Sequence, residues 1–116
     1  MNDLNIIIEG TSKIHNIDIP NIYGGFGADK KAITDKTIAE LHNTEIKKIR
    51  QNIDRNKKQF ELGVDIIDLV AVTLSDREIN LLKSLGYSQN AINASKSIYL
   101  LSERGYMKLI KIQLRR

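Results

Sequence analysis

Three features of the sequence predict an α+β fold. Apolar residues alternate near the N-terminus, at Leu4, Ile6 and Ile8 and again at Ile17 and Ile19, which is the period of two that a strand requires. In the middle of the chain they recur at helical spacing instead, with Ile46, Ile49, Ile53 and Phe60 on one stripe. The first two strands also form a hairpin, so the alternation of strands and helices that follows does not read as a parallel doubly wound sheet. At 116 residues the chain suits a single domain, residues 1–116.

The elements follow in order. The hairpin is expected to turn at Gly10-Thr11-Ser12-Lys13. Its first strand is apolar on both faces at Ile6-Ile7-Ile8, which predicts cover on both sides. Pro20 to Lys31 reads as a turn-rich link. Its Gly24-Gly25-Phe26-Gly27 run has neither of the common phosphate-loop spacings, so it reads as a tight connection with Phe26 tucked into the core. Thr34 caps a short helix to His42, with Asp35 in its first turn and Ile38, Ala39 and Leu41 as apolar contacts. Asn43-Thr44 breaks it, and Thr44 caps a longer helix running to about Phe60. Val64 to Leu69 and Val70 to Leu74 read as strands or one bent strand. Ser75-Asp76-Arg77-Glu78 is a capping box that opens a helix to Leu85, and Gly86 stops it. Ser88 caps a short turn through Ala94, and Ser97 to Leu101 reads as a strand. Ser102 caps a last helix with Tyr106, Leu109, Ile110 and Ile112 inward. The outline is a hairpin, a helix-turn-helix-like pair, further short strands and C-terminal helices.

Composition excludes several classes. There is no cysteine, hence no disulfide framework and no cysteine-ligated metal. An apolar fraction of 41%, patterned as above, is too high for a disordered tail. The N-terminus lacks the basic flank and apolar core of a signal peptide, and the longest apolar-rich stretch, Ile66 to Leu74, is too short to cross a membrane. A soluble, cytoplasmic protein is expected. The net charge of +4 is unevenly spread: residues 44–58 carry +4, residues 103–116 carry another +4, and the remainder is acidic. Charge localised in this way points to a polyanion.

On the predicted long helix, Lys47, Lys48, Gln51, Arg55 and Lys58 lie opposite the isoleucine stripe, with Arg50 and Lys57 on a flank. Two helices joined by a tight turn, the second basic on its outer face, suit a helix-turn-helix that lays the second helix in the major groove. Ala39 permits a close crossing, and Asn43 tolerates the left-handed backbone of the turn. Nothing points to catalysis. His15 and His42 lack metal-ligand spacing, no serine has a nucleophile motif, and Asp65 and Asp68 read as solvent-exposed carboxylates on opposite faces. His42 and the four scattered tyrosines read as packing residues.

Two stretches resemble a known family. They are residues 32–69, AITDKTIAELHNTEIKKIRQNIDRNKKQFELGVDIIDL, and residues 98–112, IYLLSERGYMKLIKI. The shared pattern is TxKxIAELH, a turn, a basic helix ending RNxxxFxxGxDxxxL, and then YLLxExGYxKL. It resembles the DNA-binding domain of phage antirepressor-type regulators, the KilA-N and Bro-N group, in the branch named ORF-six-N. The resemblance implies sequence-specific binding of double-stranded DNA in phage or prophage gene control, in the cytoplasm of a bacterial host. It also implies a role in countering a repressor, often through a separate C-terminal domain, which this chain is not expected to contain. The expected DNA-binding residues are Lys47, Lys48, Arg50, Gln51, Arg55 and Lys58, with Gln51 reading adenine and the cations contacting phosphate. Arg104, Lys108 and Lys111 are expected to extend the patch along the last helix. No cofactor, metal or catalytic residue is expected. A homodimer is a further partner, since such modules often read paired half-sites. The other reading of the sequence is a protein-interaction module that binds a repressor or host protein.

Overall fold

The computed structural model describes residues 5–72 and 75–114. It is an α+β domain built on one antiparallel five-stranded sheet in the order β1-β2-β3-β5-β4. The strands are β1 (Ile7–Ile14), β2 (Ile17–Tyr23), β3 (Lys31–Thr34), β4 (Ile66–Asp68) and β5 (Tyr99–Ser102). The helices are α1 (Asp35–Leu41), α2 (Ile46–Arg55), α3 (Asp76–Ser84), α4 (Gln89–Ala94) and α5 (Glu103–Leu114).

The sheet is covered on both faces. Successive residues of a strand point to opposite sides. Tyr99 and Leu101 of β5, with Ile66 of β4, therefore meet α1, α2 and α5 through Ile38, Ile49, Ile53 and Leu109. Ile98, Leu100 and Ile67 meet the other layer through Leu82 and Tyr87, at and just beyond α3. This is why residues 98–101 read as an unbroken apolar run: both faces of β5 are buried.

The hairpin forms, but its turn lies elsewhere. His15 and Asn16 both have positive φ (49° and 66°) and make the two-residue connection. The expected loop at residues 10–13 is part of β1. A bulge between Ile8 and Thr11 accommodates Gly10 there. Ile6 is buried but Ile7 is 43% exposed, so β1 is not covered on both sides. Leu4 lies outside the described residues. Pro20 belongs to β2, and β3 occupies the end of what reads as a link. Gly24 turns the chain back: a Cβ there would come within 2.2 Å of the Asn5 carbonyl oxygen, and its φ is +93°. Phe26 is half-buried against the Leu82 layer, as expected.

The capping signals are accurate. The Thr37 N–H donates to Thr34 Oγ1, the Ala91 N–H to Ser88 Oγ and the Gly105 N–H to Ser102 Oγ. Both reciprocal bonds of the Ser75–Glu78 box are made. The long helix is the exception. Glu45, not Thr44, occupies its N-cap, and the helix stops at Arg55. Lys57 to Gln59 form a separate 3-10 turn, so the basic strip is broken at Asn56. Strand β4 is short, and Leu69 to Val72 form turns and a bend rather than a second strand; Thr73 and Leu74 lie outside the described residues. Strand β5 begins at Tyr99, two residues later than expected.

Candidate nucleic-acid interface

Helix α2 is amphipathic by simple spacing. Ile49 and Ile53 are fully buried, while Lys47, Lys48 and Arg55 are exposed and Gln51 is half-exposed between them. The turn into it works as its residues suggest. Asn43 takes φ 51°, and the Thr44 N–H bonds the Ala39 carbonyl at 2.9 Å. At the other end of that turn His42 Nε2 and the Tyr106 hydroxyl share a 2.8 Å hydrogen bond, which ties α1 to α5.

What fixes the roll of α2 is a buried carboxylate. Asp35, at the start of α1, has no solvent exposure. Its Oδ2 accepts from Arg50 Nε at 2.7 Å and from the Tyr99 N–H at 2.9 Å, and its Oδ1 accepts from the Tyr87 hydroxyl at 2.6 Å. Burial, and then the charge of Asp35, push the Tyr87 phenol far above its ordinary value and keep it a donor. Arg50 also donates to Ser95 Oγ. Arg50 therefore points inward, and its expected place on the DNA face is corrected.

A second buried carboxylate takes two more of the expected cations. Asp65, read as solvent-exposed, has no exposure at all. Lys108 Nζ donates to its Oδ2 at 2.6 Å, as does the Glu61 N–H at 2.8 Å, and Arg104 Nε lies 3.0 Å from Oδ1. Burial alone would raise the Asp65 pKa. The hydrogen bond from Lys108, that from Glu61 and the two positive charges outweigh it and hold the carboxyl below the usual carboxylate range. Arg104 and Lys108 thus both reach Asp65, though the Arg104 side chain stays 57% exposed, and of the three expected α5 cations only Lys111 is exposed without a partner among the described residues. Asp65 was misread because a carboxylate three residues from another carries no sign of a cation arriving from a distant helix.

Lys47, Lys48, Arg55 and Lys58 have no ion-pair partner among the described residues. Lys57 is held instead: its Nζ donates to the Tyr99 hydroxyl at 2.8 Å. That bond raises the lysine pKa, with burial opposing and the Tyr99 and Asp54 charges adding. The Tyr99 hydroxyl in turn donates to Asp54.

Beside the exposed face of α2 lies a cleft of about 380 Å³. Helix α2 supplies Lys48, Gln51, Asn52 and Arg55 to it, the preceding turn supplies His42 and Thr44, and α5 supplies Gln113. Three of the expected site residues meet there; Lys47 and Lys58 do not line it. Asn52 lies one turn after Lys48 on α2 and could have been found by spacing, whereas Thr44 sits in the turn before the helix. Gln113 gives no signal in sequence, because only the packing of α5 brings it near α2.

Fold and cleft together define a small α+β domain in which the exposed basic face of α2 stands beside a polar cleft lined, among the described residues, by no carboxylate. The chain matches the ORF6N domain over residues 27–112, and it belongs to that family. No curated protein and no solved structure matches the chain. Among the described residues no helix is long and apolar enough to cross a membrane.

Proposed function

We propose that this domain binds double-stranded DNA, laying the exposed face of α2 in the major groove, as the DNA-binding part of a phage or prophage transcriptional regulator of antirepressor type. One observation carries the reading. Lys47, Lys48 and Arg55 flank Gln51 on one helix face, and among the described residues none of the three is neutralised by a carboxylate. Cations held without counter-charges cost the fold self-repulsion and are of use against a polyanion. In this reading Gln51, central on the face, reads a base, and the cations hold phosphates on either side.

The test is a titration of labelled duplex DNA at several salt concentrations. Affinity should fall steeply with salt, with a log–log slope of about −0.9 per phosphate contact. A salt-independent interaction, or none with duplex, defeats the reading. Binding of a repressor or other protein is a second reading, favoured by Leu62 (68% exposed) and Met107 (52% exposed) away from the cleft. Capture of one partner that survives nuclease treatment, with no retained duplex, would favour it.

A further inference from the structure

We propose that β1, the end strand of the sheet, is a homodimer interface. A second copy of this chain pairs with it antiparallel about a two-fold axis at Thr11, and the two sheets run on as one. This assigns a surface to the homodimer that the sequence only led one to expect, and it stands independently of the DNA reading.

Among the described residues β1 ends the strand order, and six of its eight residues are exposed. The turn fixes which of its backbone groups point outward. His15 and Asn16, both at positive φ, make a two-residue connection, so Ile14 and Ile17 beside it form a hydrogen-bonded pair. Such pairs alternate along an antiparallel ladder. Ser12 therefore bonds inward to Ile19, while Lys13, opposite Asp18, and Thr11, opposite Pro20, turn their N–H and C=O groups away from β2. Pro20 agrees with this, because its missing N–H is then on the side away from β1. The bulge sets Glu9 and Gly10 against Asn21 as a single step. Ile8, opposite Ile22, thus also presents its backbone groups outward.

A two-fold axis at Thr11 brings these groups together in step. Thr11 meets Thr11 of the second copy and Lys13 meets its Ile8, each pair exchanging two hydrogen bonds. The side chains follow the same register. Ile7 lies opposite Tyr23 and Ile14 opposite Ile17, so the two isoleucines share one face of the sheet. They are 43% and 45% exposed. The axis sets Ile7 against Ile14 of the second copy, at the closer, non-hydrogen-bonded spacing, and covers both ends of the strand at once. Glu9 and Lys13 fall opposite Ser12 and Ile8, so no like charges oppose one another. An unrelated strand has no reason to carry isoleucines at equal distances either side of Thr11, whereas a second copy must.

The test exploits a chain without cysteine. Ile7→Cys and Ile14→Cys are made singly and incubated with oxidised glutathione, apart and as an equal mixture. Opposed residues of a non-hydrogen-bonded pair have Cα atoms about 4.5 Å apart, within disulfide reach, while like positions stand about 20 Å apart. The mixture should therefore give disulfide-linked dimer at least about 5-fold faster than either variant alone. Wild type is sedimented without DNA, and its mass should rise from monomer towards dimer between about 1 µM and 1 mM, as suits a small interface. Thr11→Pro removes an outward N–H and no bond to β2, and should move that rise to roughly 10-fold higher concentration. Ile14→Lys should do the same and serves if the proline variant does not fold. A wild type that stays monomeric to about 1 mM overturns the inference. So does association in which the mixture cross-links no faster than the single variants, since the copies then meet elsewhere. A dimer that binds no duplex leaves this inference standing and fells the DNA reading, and a monomer that binds duplex does the reverse.

Discussion

Residues 44–58 and residues 103–116 carry the same net charge of +4, yet the fold uses them in opposite ways. In the first block Lys47, Lys48, Arg55 and Lys58 face outward with no ion-pair partner among the described residues, and Arg50 alone turns in to a buried carboxylate. In the second, Arg104 and Lys108 both close on Asp65. The charge of a segment therefore says little about the charge it offers. Whether a cation is available depends on whether a buried carboxylate stands across from it, and that carboxylate can come from anywhere in the chain. Asp35 lies in the helix before Arg50, while Asp65 lies well upstream of α5. A buried carboxylate stripped of its cation is costly, whereas an exposed lysine stripped of nothing is not.

The largest effect should come from the inward side. Arg50→Met leaves Asp35 buried without its cation, and the cost should be about 3–5 kcal/mol by urea or thermal unfolding. A change under about 1 kcal/mol would mean that the Tyr87 and Tyr99 bonds suffice, and would weaken the contrast. Lys108→Met should cost less, because Arg104 and the Glu61 N–H remain on Asp65.

That second variant also carries a pH signature. The Asp65 pKa is held low in the folded domain, so its contribution is present above the ordinary carboxylate value and is lost as pH falls through the folded value. Wild-type stability should drop on acidification below about pH 4. The drop should be shallower in Lys108→Met, read from unfolding midpoints between neutral and acid pH. An identical profile would detach Asp65 from the acid response.

The smallest effect on stability should be the largest difference in binding. Lys48→Ala should change stability by no more than about 0.5 kcal/mol. It should still lower duplex affinity and make the salt slope shallower by about 0.9, one phosphate contact. Lys108→Met, by contrast, should leave the salt slope near wild type. Were Lys108 rather than Lys48 to move that slope, the two blocks would have to exchange roles.

Sequence by itself determined the local events. Thr34, Ser75, Ser88 and Ser102 mark helix starts because a side-chain oxygen placed just before a helix satisfies a free N–H, whatever surrounds it. The isoleucine stripe of α2 follows from a period of 3.6, and the family pattern over residues 32–69 and 98–112 is written in contiguous residues. The hairpin was legible, but not its turn. Gly10 looks like a loop residue and serves as a bulge, while His15 and Asn16 take the turn. The end of α2 was missed for a similar reason: Phe60 continues the stripe in projection although the helix has already stopped at Arg55.

Only the tertiary structure decided which charges remain free. Gly105 shows the mechanism on a small scale. A Cβ there would come within 2.0 Å of the Asp65 carbonyl oxygen, so its glycine lets α5 approach closely enough for Lys108 to reach the carboxylate. The same docking of α5 carries Gln113 to the cleft beside α2. Electrostatic and hydrogen-bond partnership is fixed by distance in space, over a few ångströms. A sequence orders residues along the chain, and it cannot show which residues will stand across from one another until the helices have packed.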